Sequence, residues 1–416
     1  MLPTFAPHKK SKTIKPALTN IKPKSELEFI TLMAFLMANA ALAIDTVLPG
    51  LGYIGASLNV TEANDLQLII IMILVGLGVG QLFLGTLSDS FGRKPMVYAG
   101  ILTFIVASLI CIMAESLTVM LIGRVLQGIG LSGPRSICVS IIRDSYSGDR
   151  MARIMSFIAA IFIIVPMVAP LLGQFILNHY SWQYLFWFQI GFILLVLGWF
   201  AWRQEETLTT ENKKEFSRTL FNSGAKVFFK MRISVVYTFI SGLIGGAFFV
   251  YLSASKQVFQ DQYLLAEEFG YIFGALAFSL GLASFLNSSL VLKFGMKKLS
   301  TFFLIVFCVS SSIYTLLFYN SDNPHLAIIM VFFAIQFLSL GFIFGNIRSL
   351  AMEPIGHIAG IGAAINGFVS TLLSVPIAIF VGSFIDGSAL PIFMGFFICS
   401  FLSLLLLLFI RNKQTQ

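Results

Sequence analysis

The sequence predicts an all-α polytopic membrane protein, and two features of its composition lead to that fold class. Charged residues make up 11% of the chain and hydrophobic residues 57%, with 43 phenylalanines among 416 residues. A soluble domain carries about 25% charged residues, and one globular core cannot bury so much apolar surface. A lipid bilayer can accept that surface, so we expect most of the chain to lie in a membrane.

Apolar runs of about 20 residues, the length with which an α-helix crosses a bilayer, recur through nearly the whole chain. They predict twelve spans, near residues 28–49, 65–86, 96–114, 117–141, 153–177, 183–202, 233–254, 268–291, 299–319, 325–350, 359–384 and 388–410. One charge-rich interior stretch divides them into six and six. The predicted domains are a disordered basic tail (1–27), an N-terminal six-helix bundle (28–203), a cytoplasmic linker (204–232), a C-terminal six-helix bundle (233–410) and a short tail (411–416).

The positions of the basic residues predict the orientation. Lys and Arg near span ends stay on the cytoplasmic side of a membrane. If both termini are cytoplasmic, Lys256 is the one basic loop residue left outside, while Arg124 and Arg135 fall within the membrane. This arrangement accounts for the net charge of +8 without a nucleic-acid partner. The Lys-rich tail is expected to lie near anionic membrane lipids.

The loop after the second span carries the most specific pattern. Gly85 lets two helix ends approach, and Gly92 permits a turn that other residues resist. Asp89, Arg93 and Lys94 place one anion and two cations at the membrane boundary, where an acid can pair with a neighbouring helix amino terminus. A functional gate loop is favoured over an ordinary tight turn. The second half has a faint copy of it, with an aromatic–glycine pair at 294–295 before basic residues, as expected of transporters built from two repeats.

This loop resembles the signature loop of the major facilitator superfamily, and other segments resemble its Bcr/CflA branch of drug–proton antiporters. Those segments are Ile44-Asp45 with Leu48-Pro49, Arg124 with Gln127-Gly128 and Gly130, Arg143-Asp144, and Trp182 with Phe186-Trp187. The resemblance is dense from about residue 30 to 205 and weaker beyond. It implies the major facilitator fold, two six-helix bundles around a central cavity, in a bacterial inner membrane. It also implies that Asp144 is a partner for Arg93 in latching the inner gate.

Ionisable residues inside the bilayer are the candidates for coupling, because a charge at mid-membrane costs at least about 2.5–3.5 kcal/mol and normally faces a cavity. Asp45 follows the mostly apolar run 38–44, and the resemblance implies that it couples protons or recognises cations. Arg124 shares a helix face with Gln127, and the resemblance implicates it in proton transfer. A helix-end acid for Asp45, and an ion pair or backbone-carbonyl clamp for Arg124, are the structural alternatives. Arg135 either serves the cavity or extends towards the cytoplasm.

The fifth span resembles the antiporter motif but departs from it. Pro170 and Gly173 are present with Pro166 one turn earlier, while Ala169 and Gln174 replace family glycines. Proline bends a membrane helix and small residues allow close packing, so a hinge is still expected here. The departure weakens this segment as a sign of antiport.

These observations predict a proton-coupled multidrug efflux transporter that works by alternating access and is not an enzyme. The expected substrates are small lipophilic or cationic molecules and protons. We expect no metal or other cofactor, and we expect the protein to be a monomer. Three alternatives stay open: a dedicated exporter of an endogenous metabolite such as a siderophore or sugar, a proton-coupled uptake symporter, and a membrane-embedded sensor or assembly protein without flux.

Overall fold

The computed structural model describes residues 25–146, 148–209, 213, 218–319 and 321–414. The predicted disordered tail (1–27) lies almost wholly outside these residues, and so do parts of the predicted linker (204–232) and the end of the predicted tail (411–416). Within the described ranges the chain is helical and contains no strand. The predicted all-α membrane fold is confirmed.

Every predicted span coincides with a helix. The N-terminal bundle comprises α1 (Glu26–Asp45), α2 (Leu51–Ser57), α3 (Gln67–Phe91), α4 (Arg93–Ile112), α5 (Leu117–Ser145), α6 (Gly148–His179) and α7 (Gln183–Arg203). After α8 (Arg218–Lys230), the C-terminal bundle comprises α9 (Arg232–Lys256), α10 (Phe269–Phe294), α11 (Met296–Phe318), α12 (Leu326–Met352), α13 (Ala359–Gly382) and α14 (Leu390–Gln414). In the described residues 11 helices are long and apolar enough to cross a membrane. The remaining span, α6, is a helix of 32 residues.

The first span differs from its predicted form because its helix is interrupted. α1 ends at Asp45, a short 3₁₀ turn follows over Leu48–Gly50, and α2 then completes the crossing. Pro49 sits in that turn, and proline has no backbone N–H to continue an α-helix. Asp45 is therefore a helix-end acid, but it is buried inside the protein, with 4% of its surface exposed.

The predicted polar linker contains a helix that the sequence reading missed. α8 is strongly amphipathic, and Phe228 on it is buried in a small apolar cluster with Ile355 and Ile365. A Cβ atom on Gly224 would lie 2.9 Å from the Ile361 side chain. The linker is thus docked along the C-terminal bundle rather than free at that end.

The two bundles meet along α3 with α13 and along α6 with α10. Two faces of the molecule can be defined from the helix ends. The basic face holds the start of α1, the α3–α4 and α10–α11 turns and the end of α14, and the opposite face holds the α2–α3 turn and the ends of α9 and α13. The two turns on the basic face are each made by one glycine with positive φ, +109° at Gly92 and +81° at Gly295. The faint sequence repeat therefore corresponds to a repeated turn geometry.

Close packing of α3 on α5 leads to a prediction at Gly128. A Cβ atom there would lie 2.0 Å from the carbonyl oxygen of Ile73. Gly128→Ala should push the helices apart and lower the free energy of unfolding by about 1–3 kcal/mol, the usual cost of overpacking. The measurement is thermal unfolding of the purified protein in detergent.

Gly191→Ala on α7 is the matched control, because a Cβ atom at Gly191 would meet nothing within 4 Å and alanine favours a helix over glycine. It should match or exceed wild-type stability. A Gly128→Ala protein that melts with the wild type would contradict the packing described for α3 and α5.

Candidate functional site

The loop on the basic face is organised around one buried guanidinium. Arg93, at the start of α4, is 2% exposed. It forms ion pairs with Asp89 and, at 2.9 Å from its Nε, with Asp144 at the end of α5. Its Nη1 also donates to Ser88 Oγ at 2.8 Å. The loop therefore joins α3, α4 and α5 through charge-assisted hydrogen bonds, which are stronger than neutral ones.

A residue that the sequence reading did not select completes this loop. The carboxylate of Glu206, just beyond α7, accepts hydrogen bonds from the backbone N–H groups of Arg93 and Lys94, both at 3.0 Å. Next to it, Thr207 donates to Asp144 Oδ2 at 3.2 Å. A carboxylate at these free amides and at the positive end of the helix dipole stabilises the helix start. Partial burial raises the pKa of Glu206, but hydrogen bonds from backbone amides outweigh it and leave that pKa below its usual value.

The acid at a helix amino terminus is thus Glu206, whereas Asp89 pairs with Arg93. Gly92 explains the arrangement, because a Cβ atom on it would lie 2.9 Å from Glu206 Oε2. The sequence signal for Glu206 was weak: an acid two residues after a span end is common on a solvated loop. Gly85 lies in the last turns of α3, and Lys94 Nζ donates to the Ala201 carbonyl at 3.3 Å.

Inside the membrane, Arg124 on α5 holds three helices together. It is fully buried. Its Nε donates to the Ile69 carbonyl of α3 at 2.9 Å, and its Nη1 donates to the Ala43 carbonyl of α1 at 3.1 Å. Nη1 also donates to Gln127 Oε1 at 2.8 Å. Among the described residues Arg124 Nη2 has no hydrogen-bond partner. Of the structural alternatives, these contacts match the backbone-carbonyl clamp, and a role for Arg124 in proton transfer stays a prediction.

Gln127 extends this clamp into a buried polar network. Its Nε2 donates to Ser108 Oγ on α4 at 2.7 Å and lies 3.5 Å from Gln189 Oε1 on α7. Gln189 in turn donates to Thr46 Oγ1 at 2.9 Å. The network therefore returns to the residue after Asp45. Ser108 and Gln189 were not selected from the sequence, because single Ser and Gln residues in apolar runs give no spacing signal.

Asp45 lies beside this network without joining it. Within the described residues its carboxylate forms no ion pair and no hydrogen bond. On the other bundle, Tyr251 of α9 interacts electrostatically with Asp45, and its buried hydroxyl has no hydrogen-bond partner among the described residues. Arg124 reaches the backbone two residues earlier and leaves the acid unneutralised. The structure thus places Asp45 between the bundles and separate from Arg124.

The expected hinge residues lie where α6 meets the break in the first span. A Cβ atom on Gly173 would lie 2.3 Å from the Thr46 carbonyl oxygen and 3.0 Å from Pro49. Pro166 and Pro170 lie within α6, which continues as a helix through both. Gly173 therefore allows α6 to pack directly on the residues that follow Asp45.

The opposite face is closed by neutral amide groups that join the bundles. Gln67, at the start of α3, is 4% exposed. Its Nε2 donates to Gln257 Oε1 at 2.8 Å and to the Gly382 carbonyl at 3.3 Å. Asn64 donates to the Ser383 carbonyl at 3.3 Å and accepts from Gln257 at 3.0 Å. We call these residues (Asn64, Gln67, Gln257, Gly382 and Ser383) the amide latch.

Arg135 lies on the other side of that closure. It borders a small gap between α3 and α5 together with Gln81, Ser132 and Ser136. Its side chain is exposed. This position fits the cavity-lining interpretation of Arg135, which stays a prediction.

Comparison with known proteins identifies the family. Residues 30–379 match the sequence profile of the Major Facilitator Superfamily, and the chain belongs to that superfamily. It is 30% identical over 372 residues to an uncharacterized MFS-type transporter, YdgK, of Bacillus subtilis (strain 168), covering 88% of this chain and 91% of the relative. It is 28% identical over 378 residues to the multidrug resistance protein MdtL of Escherichia coli O157:H7, with the same coverages.

Solved structures share the fold at low sequence identity. The xylose transporter XylE from E. coli, in a partially occluded inward open conformation, has a TM-score of 0.71 and 12% identity, covering 93% of this chain and 97% of that one. The human organic anion transporter MFSD10 (TETRAN) has a TM-score of 0.66 and 15% identity, covering 92% and 100%. The predicted fold, two six-helix bundles around a central cavity, is confirmed. The chain is a multi-pass membrane protein of a transporter family.

The contacts of Glu206 predict a pH-dependent contribution to stability. Glu206→Gln removes the charge at the start of α4 and should lower the free energy of unfolding by about 1 kcal/mol at neutral pH, as loss of a helix cap does. A carboxyl whose folded-state pKa is lowered stabilises above its unfolded pKa and loses that effect as pH falls through the folded value. The gap between wild type and variant should therefore shrink below the ordinary pKa of 4.5.

Thermal unfolding in detergent at neutral and acidic pH measures this gap. Glu205→Gln is the matched control, since it removes the same charge from the neighbouring exposed residue and should leave no gap that varies with pH. A Glu206→Gln protein as stable as wild type at neutral pH would show that the loop does not depend on this carboxylate.

The hydrogen bonds of the amide latch should keep the opposite face closed, so their loss should increase the population of open molecules. Gln67→Leu removes the hydrogen bonds to Gln257 and Gly382, worth about 1 kcal/mol each, and should raise the open population at least about fivefold. A cysteine at Leu51, which borders the gap beneath the latch, should then react faster with an impermeant maleimide.

Gln262→Leu is the control, because Gln262 accepts a hydrogen bond from Asn323 within its own bundle. Equal labelling rates in both variants would mean that the latch does not hold the face closed.

Proposed function

We propose that this protein is a proton-coupled multidrug efflux transporter of the Bcr/CflA type that works by alternating access. The observation that carries the proposal is Asp45, a buried acid that forms no ion pair among the residues that the structure describes. A carboxylate in such a site is stable when it is protonated and costly when it is charged. Binding and release of a proton there would change the free energy of any rearrangement that wets or dries the site.

The surroundings of Asp45 support coupling to movement. It ends α1, at the point where the first span breaks and α6 packs on the residues that follow through Gly173. α6 also contacts α10 of the other bundle. A change in charge at Asp45 would therefore affect the packing of α1, α6 and α10, which includes the boundary between the bundles. The Tyr251 hydroxyl, which has no hydrogen-bond partner among the described residues, would be a donor for the acid in one of its states.

Arg124 has a supporting role in this proposal. Its bonds to the Ala43 and Ile69 carbonyls fix α1 against α3 and set the position of Asp45. An arginine keeps its proton, so Arg124 would act by orientation and by its field rather than as a proton carrier. Gln127 would hold the guanidinium in place, and the loop around Arg93 would keep α3, α4 and α5 moving as one body.

The orientation that fits is with the basic face in the cytoplasm of a bacterium and the amide latch facing outward. The distribution of Lys and Arg supports this orientation, and the similarity to MdtL, a multidrug resistance protein of E. coli, supports multidrug efflux. In that orientation the structure is closed to the outside, so cargo would enter from the cytoplasm or the inner leaflet. Lipophilic compounds, including cationic ones attracted to Asp45, are the proposed cargo.

Replacement of Asp45 tests the coupling. Asp45→Asn in proteoliposomes should abolish drug accumulation driven by an imposed pH gradient, because an amide side chain cannot bind and release a proton in this pH range. It should keep downhill exchange of the same drug, because the cavity and gates are unchanged. Asp65→Asn is the control, since Asp65 is exposed at the opposite face, and it should retain gradient-driven transport.

Gradient-driven accumulation that survives in Asp45→Asn would refute the coupling role of Asp45. Accumulation in the direction of proton flow would instead identify an uptake symporter. No movement of any drug by the wild type, together with movement of one metabolite, would identify a dedicated exporter.

A further inference from the structure

The linker helix α8 has one face that the proposed mechanism does not use. Its docked face places Phe228 in the apolar cluster on the C-terminal bundle and Gly224 against Ile361 of α13. With 3.6 residues per turn, the other face carries four exposed side chains. They are Asn222, Lys226, Phe229 and Lys230, and we call them the exposed strip of α8.

The corner between α8 and α9 places the end of α8 at the membrane boundary. α8 ends at Lys230 and α9 begins at Arg232, so Met231 alone joins them, with non-helical angles of φ −81° and ψ 88°. The segment Arg232–Gln262 is long and apolar enough to cross a membrane. Because α9 ends on the opposite face, it starts on the basic face. The exposed strip therefore runs up to the point where a span enters the bilayer on that face.

The cations of this corner are not neutralised by the protein. Among the residues that the structure describes, Lys226, Lys230 and Arg232 form no ion pair, and all three are exposed. The sequence contains no acid from residue 216 to 260. The same face also contains a paired arginine, since Arg203 is bound to Glu28. The corner is thus a surface of exposed cations, and its charge is complementary to that of an anionic bilayer.

Apolar side chains lie among these cations. Phe229 is 56% exposed and Met231 38% exposed, and they flank Lys230 in the sequence. A helix that lies at a membrane surface buries such side chains at the boundary between headgroups and acyl chains. Phe229 can enter that boundary while the lysine side chains extend to the headgroups. Basic residues that only set the topology would need no such apolar neighbours.

We infer that the exposed strip of α8, together with Arg232, binds anionic lipid headgroups of the leaflet on the basic face. The lysines pair with the phosphates of lipids that carry a net negative charge, and Phe229 lies among the upper acyl chains. The inference goes beyond the proposed function and does not depend on what the protein transports. Because the other face of α8 is docked through Phe228, bound lipid would anchor the C-terminal bundle at the membrane surface.

The test places a fluorophore on the exposed strip and measures its contact with two lipids. Asn222→Cys, one turn before Lys226, is labelled with NBD in the full-length protein, where the four native cysteines are buried. Proteoliposomes of phosphatidylcholine contain an equal fraction of spin-labelled phosphatidylglycerol or spin-labelled phosphatidylcholine as the quencher. The anionic quencher should act more strongly. This selectivity should decrease as salt is added, because ions screen exposed charges.

Substitution of the two lysines gives the decisive result. Lys226→Gln/Lys230→Gln should remove most of the selectivity, with a loss of up to about fivefold for each lysine, and leave quenching by phosphatidylcholine unchanged. Lys226→Arg/Lys230→Arg should keep the selectivity, because arginine retains the charge.

Two further variants serve as controls. Lys298→Gln removes one exposed cation from the start of α11, in the same bundle and on the same face, and should leave the selectivity at its wild-type value. Phe229→Ser should lower quenching by both lipids alike, because an apolar contact does not depend on the charge of the headgroup.

Several outcomes would overturn the inference. One is equal quenching by the two lipids in the wild type, and another is selectivity that survives in Lys226→Gln/Lys230→Gln. No quenching by either lipid would place the exposed strip in water and assign it to a soluble partner instead of the bilayer.

Drug transport in the same proteoliposomes separates this inference from the proposed function. If the wild type moves no drug but keeps its lysine-dependent lipid selectivity, the lipid surface stands and multidrug efflux fails. If drug efflux proceeds without that selectivity, efflux stands and the lipid surface fails.

Discussion

The hydrogen bonds of Arg124 to backbone carbonyls of α1 and α3 are the interaction on which the rest of the N-terminal bundle depends. A bilayer offers no water to satisfy a broken helix, so each free polar group must find a partner within the protein. The first span breaks after Asp45, and the guanidinium takes up a carbonyl just before the break. Thr46, Gln189, Gln127 and Ser108 continue the hydrogen bonding to two further helices, α4 and α7. The break is stable in the membrane because this network supplies hydrogen-bond partners for polar groups next to it.

The clamp also explains why two charges at similar depth have different environments. Arg124 donates its hydrogen bonds to carbonyl oxygens and to Gln127, so the fixed dipoles of these groups stabilise its positive charge. Asp45 receives none of those donors and faces the other bundle. A direct ion pair would have neutralised both groups and held them in one state. The observed separation keeps the acid responsive to what surrounds it.

Much of the fold was predictable because the bilayer imposes a simple rule of length and polarity. Apolar runs located the helices of all twelve spans. The two aromatic–glycine turns indicated the repeat, and the positive φ of Gly92 and Gly295 now shows it in the backbone. The helix in the linker was missed because its apolar face is short and lies in a charged segment. The sequence analysis did not predict the break near Pro49 because apolar residues continue on both sides of it.

The candidate site was predictable only in part, since spacing along one chain does not reveal contacts between helices. The sequence identified Arg93, Asp89 and Asp144, and the structure brings them together. It could not identify Glu206, which reaches the loop from beyond α7, or Ser108 and Gln189, which meet Gln127 from two other helices.

The amide latch has a consequence for how such a machine would sense acidity. Asparagine and glutamine side chains carry no titratable proton, so acid in the compartment beyond the opposite face cannot unfasten them by changing their charge. The amide latch and the proposed proton-binding group are thus chemically distinct. The hydrogen bonds of the latch do not depend on the pH gradient that would drive the cycle. In the proposed cycle, the group that titrates is Asp45 inside the protein, and the neutral hydrogen bonds would break as a result of the movement that it triggers. Such a transporter would stay closed in an acidic environment until its own interior changed state.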